Sequence, residues 1–76
     1  MASVTIHHGI RILTLDEGER IADHCGADDI AIVKADDGWW TWFVDAEGQA
    51  ESYDQPFDSL HRALCAARAA AEMMAE

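Results

Sequence analysis

The spacing of hydrophobic and polar positions changes period several times along the chain. From Val4 to Leu15 β-branched residues dominate, and Val4, Ile6, Ile10 and Ile12 all fall at even positions. A period of two predicts a strand, or two short strands with His8-Gly9 as a turn or bulge between them. At Thr14 the pattern changes. Thr14 with Glu17 makes a capping-box pair, while Asp16, Glu17 and Glu19 place negative charge in a first helical turn. Leu15, Ile21, Ala22 and Cys25 add an apolar stripe. A short helix is expected here, weakened by Gly18 and stopped at Gly26.

Residues 30–35 read as a strand, and Asp37-Gly38 then supplies a strong hairpin signal. Residues 39–45 form the clearest strand of the chain, because aromatic and β-branched residues dominate them. Trp40, Trp42 and Val44 lie on one of its faces, and Trp39, Thr41, Phe43 and Asp45 on the other. Glu47-Gly48 makes a second turn and residues 49–53 return as another strand. Asp58 or Ser59 caps a final helix running to about Met74, with Leu60, Ala63, Leu64, Ala67, Ala71 and Met74 on one face. The order β-α-β-β-β-α predicts an α+β fold: an antiparallel sheet of three to four strands with two helices on one side, in a single domain spanning residues 1–76.

Composition narrows what such a domain can do. Half of the 76 residues are hydrophobic, but many of these are alanine, which buries little area. The large core candidates are Ile6, Ile10, Ile12, Leu13, Leu15, Ile21, Ile30, Ile32, Val33, the three tryptophans, Phe43, Val44, Phe57, Leu60 and Leu64. A core this thin leaves little room for an internal cofactor pocket, so no cofactor is expected. Dimerisation is one way for so small a domain to gain stability, and the alanine-rich stripe of the last helix would suit a close helix–helix contact. Packing on its own sheet is the alternative.

Charge changes the picture more. Fifteen acidic residues against five basic ones give a formal net charge of −10. That balance argues against direct binding of nucleic acid or an anionic membrane, and permits binding to a basic protein surface. Between positions 28 and 58, Asp28, Asp29, Asp36, Asp37, Asp45, Glu47, Glu51, Asp54 and Asp58 face Lys34 alone. Aspartate is a good turn residue, so part of this is ordinary solvation of loop tips. The density of unpaired charge also fits a functional acidic surface. Same-face residues on a strand repeat at about 6.6 Å, close to the spacing of phosphates along a nucleic-acid strand. Either Trp39 or the Trp40–Trp42 pair must leave the helix-covered face unless a bulge intervenes. Trp39 beside these acids has the make-up of a binding anchor. The candidate partner-binding residues are therefore Asp28, Asp29, Asp36, Asp37, Trp39, Asp45, Glu47, Glu51 and Asp54.

Other chemistry is weakly represented. His24, Cys25, His61 and Cys65 would make a two-His, two-Cys site if the helices packed side by side, but their spacing matches no standard zinc pattern. His7 and His8, as strand neighbours, are expected to point to opposite faces. No metal is expected. Asp36-Asp37 with Asp28-Asp29 offers carboxylates, but on loops too short for a calcium cage. The chain has no nucleophile elbow, glycine-rich phosphate loop, HExxH pair or EF-hand loop, and no enzyme is expected. No apolar run follows a basic N-terminal region, so a cytoplasmic location with reduced thiols is expected.

The run Gly38-Trp39-Trp40-Thr41-Trp42-Phe43-Val44-Asp45-Ala46-Glu47-Gly48, followed by Phe57-Asp58-Ser59 and an alanine-rich helix, resembles a hairpin-and-helix pattern common in small phage and prophage proteins. Taken with its length and charge, the chain resembles the anti-CRISPR proteins of phages and mobile elements. The resemblance is one of class, with no shared motif that would carry a residue's role across. It implies a cytoplasmic inhibitor in the bacterial host, which binds the basic nucleic-acid-binding surface of a type I CRISPR effector complex and blocks target DNA. A non-enzymatic phage accessory protein that self-associates through the last helix is the alternative.

Overall fold

The computed structural model describes residues 3–16 and 18–74, except the side chains of residues 22 and 23. Five strands lie side by side in chain order: β1 (Ser3–His7), β2 (Ile10–Leu15), β3 (Ile30–Ala35), β4 (Gly38–Val44) and β5 (Ala50–Ser52). Two helices complete the fold, α1 (Ile21–His24) and α2 (Leu60–Met74). The fold is α+β, as the sequence pattern implies, but it departs from the expected version in three respects.

First, the segment from Val4 to Leu15 folds as a complete hairpin. His7 pairs with Ile10, leaving His8 and Gly9 as a two-residue loop with φ of 52° and 79°. Positive φ at both loop positions is what a tight hairpin demands, because it matches the right-handed twist of the strands. Second, β2 and β3 run parallel, with Ile12 opposite Ile30 and Leu15 opposite Val33, while all other pairs are antiparallel. Ile12, Leu13, Leu15, Ile30, Ala31 and Ile32 are all buried. Near-continuous apolar runs of this kind belong to central strands covered on both faces.

Third, the helices lie on opposite faces. α2 packs on the face formed by Ile12, Ile30 and Ile32, with Trp39, Phe43 and Phe57 beside them. The crossover from β2 to β3 covers the other face, where Ile21 and Cys25 meet Leu13, Leu15, Ala31, Val33 and Trp42. α1 is a single turn. β2 continues through Thr14 and Leu15, so Thr14 is a strand residue and no helix N-cap; Glu17, its expected capping partner, lies outside the described residues. The carboxylate of Glu19 instead accepts the backbone N–H of Asp16 at 2.8 Å, one turn before α1 begins.

α2 is well started and closely packed. Ser59 is its N-cap, its Oγ accepting the N–H of Arg62 at 3.2 Å. The buried face is the stripe Ala63, Ala67 and Ala71. Side chains this small let the helix axis approach the sheet closely, so the stripe is occupied by the chain's own core. The link into α2 is fixed by a backbone bridge in which the N–H groups of Trp39 and Phe57 each donate to the other residue's carbonyl at 2.8 Å.

That bridge explains Gly38. Its φ is 137°, and a Cβ placed there would lie 2.5 Å from the carbonyl oxygen of Phe57. Gly38→Ala is expected to lower unfolding free energy by about 2–3 kcal/mol, from backbone strain and displacement of the bridge. Chemical denaturation would measure it. Thr41 predicts the opposite. It is buried opposite Ile32, and its hydroxyl has no hydrogen-bond partner. Thr41→Val keeps the shape and removes the orphan group, and should raise stability by about 1 kcal/mol in the same assay.

Candidate functional site

The structure sorts the acidic residues into two groups at opposite ends of β4, roughly 20 Å apart at about 3.4 Å per residue. Asp36 and Asp37 form the β3–β4 turn. Ala35 pairs with Gly38, so the turn lies one residue earlier than the expected Asp37-Gly38. Asp37 accepts a hydrogen bond from the indole Nε1 of Trp40 at 2.9 Å. Asp54 and Asp58 lie exposed in the 53–59 connection, which the Trp39–Phe57 bridge holds beside this end of the strand. Arg62 lies 3.4 Å from Asp58.

The other group converges. Asp28, Asp45 and Glu51 line one groove of about 300 Å³ with Phe43, Val44, Gln49 and Met74. Each acid arrives by a separate route. Asp28 sits in the left-handed region with φ of 64°, a conformation aspartate tolerates better than most residues. Its N–H donates to the carbonyl of Val44 at 2.9 Å, and the N–H of Val44 donates back to Asp29 at 2.9 Å. These bonds carry the β3–β4 ladder one step beyond the strands. Asp45 follows the end of β4 and organises the turn, its Oδ1 accepting the N–H groups of Glu47 and Gln49, each at 2.9 Å. Glu51 comes from β5, opposite Phe43, and among the described residues is the only acidic one within a strand.

The groove thus has an apolar floor and an acidic rim. Phe43 also makes an edge-to-face contact with Tyr53, with ring centres 5.3 Å apart. Among the described residues, none that lines the groove is basic. Among the described residues, the carboxylates of Asp28, Asp36, Glu47, Glu51 and Asp54 form no hydrogen bond or ion pair. Three carboxylates around an aromatic and a thioether suit a long cationic side chain. The methylenes of such a side chain would lie on the floor and its charge would meet the rim.

Asp29 leaves the candidate set. It is 5% exposed and wholly engaged inside the protein. Arg11 grips it with Nε at 3.1 Å on Oδ1 and with Nη2 on Oδ2, and the backbone N–H of Gly26 donates to Oδ2 at 2.7 Å. Burial alone would raise its pKa. The Arg11 hydrogen bonds, the Gly26 N–H and the guanidinium charge outweigh that and hold it below the usual carboxylate range. The same carboxylate adds to the burial that pushes the neighbouring Cys25 thiol up. Nothing in the bare run Asp28-Asp29 distinguishes the two residues. The signal available was the distant Arg11.

Trp39 is half-buried beside the α2 core, with the Lys34 ammonium 5.8 Å from its ring centre. The two-His, two-Cys arrangement does not assemble. Cys25 packs on the α1 face, whereas Cys65 is exposed on α2, across the sheet, 3.7 Å from His61. Nor do His7 and His8 diverge as strand neighbours would, because His8 belongs to the turn. Both imidazoles approach Glu72 of α2. No family model, no curated protein and no solved structure matches this chain.

Asp29→Asn is expected to cost about 1–2 kcal/mol at neutral pH, a value moderated by the half-exposed Arg11. The sign with pH follows from the depressed pKa. The stabilisation is complete above the unfolded value of about 4 and vanishes as pH falls through the folded value. Denaturation curves of both proteins should therefore stay apart at neutral pH and converge below about pH 4.

Proposed function

We propose that this protein is a non-enzymatic inhibitor that binds the basic nucleic-acid-binding surface of a type I CRISPR effector complex in the host cytoplasm, and so blocks target DNA. The observation that supports this reading is the groove of Asp28, Asp45 and Glu51 over Phe43 and Met74. It accepts a lysine or arginine that would otherwise neutralise a phosphate. The second acidic group, Asp36, Asp37 and Asp54, continues the negative field along β4, with Glu47 at the tip of the β4–β5 turn. The mimicry is of charge held at turn tips, since the strands carry Glu51 alone and offer no regular ladder of carboxylates. Trp39 contributes through its half-exposed edge, beside Lys34.

A net charge of −10 steers the protein toward a basic partner and makes the association sensitive to salt. No helix among the described residues is long and apolar enough to cross a membrane. The self-associating alternative receives less support, because the alanine stripe it would use already faces the sheet.

The test is capture of purified type I effector complexes by the tagged protein at low and high salt, with target-DNA binding measured alongside. One complex should be captured, less well as salt rises, and should lose DNA binding. Asp28→Lys with Glu51→Lys should weaken capture by roughly 10- to 100-fold, as loss of a charge-assisted hydrogen bond would. Capture of no type I complex, or capture indifferent to both salt and these reversals, would sink the proposal.

A further inference from the structure

The β1–β2 turn brings together three side chains that the acidic surface does not use. His7 closes β1, and His8 follows in a left-handed conformation that folds its ring back beside the first. The two imidazole centres are 4.6 Å apart and nearly perpendicular. Glu72, on the last turn of α2, directs one oxygen at both rings. Its Oε1 lies 3.6 Å from Nε2 of His7 and 3.5 Å from Nε2 of His8. All three ligand atoms fall within 4.8 Å of one another.

These separations are long for N–H···O hydrogen bonds, which centre near 2.9–3.0 Å. They fit a different arrangement. Ligands about 2.0–2.1 Å from a tetrahedral ion stand roughly 3.4 Å from each other. A second observation points the same way: Nε2 of His7 is shielded from water and has no hydrogen-bond partner. In the tautomer with its proton on Nδ1, that ring nitrogen presents a lone pair that a cation can take up. His8 and Glu72 are 54% and 57% exposed, which leaves a path for the ion and an open coordination position on the solvent side.

We propose that His7, His8 and Glu72 form a binding site for a divalent transition-metal ion, with Zn²⁺ as the reference ion. Two imidazoles with one carboxylate suit Zn²⁺, Ni²⁺, Co²⁺ or Cu²⁺ over the oxygen-seeking Mg²⁺ and Ca²⁺. His61 with Cys65, and His24 with Glu19, bring no third donor within reach among the described residues. The site rests on neither the groove nor its partner, and its fate is separate from theirs.

Calorimetric titration of the reduced full-length protein with Zn²⁺ near neutral pH should show one equivalent bound. Glu72→Gln and His8→Gly should each weaken it by about 10- to 100-fold or more, the range already seen when mere supports of a ligand are lost. Glycine is chosen at position 8 because it keeps the positive φ. His61→Ala with Cys65→Ser should retain the full affinity. If the ligand variants fold poorly, nitrogen-15 spectra of the wild-type imidazoles decide. Zn²⁺ should shift Nε2 of His7 and His8 while His24 and His61 stay in place. Absence of binding, shifts confined to His24 or His61, or affinity unchanged by Glu72→Gln would overturn the proposal.

Discussion

The parallel seam between β2 and β3 is the constraint from which the rest of the fold follows. A parallel pair cannot be joined by a tight turn, so residues 16–29 must cross from one end of the sheet to the other. Both faces of the seam are apolar, so both need cover. The crossover protects Leu13, Leu15 and Ala31, and α2 protects Ile12, Ile30 and Ile32. Arg11 and Asp29 close the arrangement. They join β2 to the end of the crossover by a partly buried bidentate contact, with Gly26 as a further donor. With so few large side chains available, a charge pair inside the fold is tolerable only because each oxygen of Asp29 finds a donor.

Much of this architecture is legible in the chain. The aromatic strand around Trp42, an N-cap at Ser59 (one of the two expected) and the alanine stripe of α2 each follow a local rule, while the β3–β4 turn falls one residue before the expected Asp37-Gly38. The parallel seam escaped because it is not local. Period-two alternation at Val4, Ile6, Ile10 and Ile12 finds both strands of the first hairpin, but the two-residue turn sets Val4 and Ile6 on the face opposite Ile10 and Ile12, and the pattern says nothing about the direction of the next neighbour. Acidic residues after Thr14 suggested a helix, when β2 needed Thr14 and Leu15 for its own ladder. Tertiary pairing overrode a capping signal worth about 1 kcal/mol.

The same division applies to the acidic surface. Composition identifies an excess of carboxylates, but which of them face outward depends on partners far away in sequence. Asp28 and Asp29 are adjacent and alike, yet one rims a groove and the other is enclosed by an arginine 18 residues away. Asp45 serves twice, since one of its oxygens holds the turn while the residue also lines the groove. The His7–His8–Glu72 group was illegible for a related reason. Strand alternation separates neighbours, and only the left-handed backbone at His8 reverses that rule.

The two margins of the sheet differ in a way that bears on how copies of this protein meet. β5 is three residues long and carries Glu51, which makes it a poor template for another strand. β1 is five residues long, its outer edge is unpaired, and Val4 and Ile6 are 54% and 67% exposed. Such an edge invites strand addition and then aggregation. What opposes it is long-range repulsion between molecules that each carry ten excess negative charges. The carboxylates therefore serve as the colloidal protection of an otherwise adhesive edge. Concentrated salt weakens that protection by screening, and acid by neutralising the carboxylates.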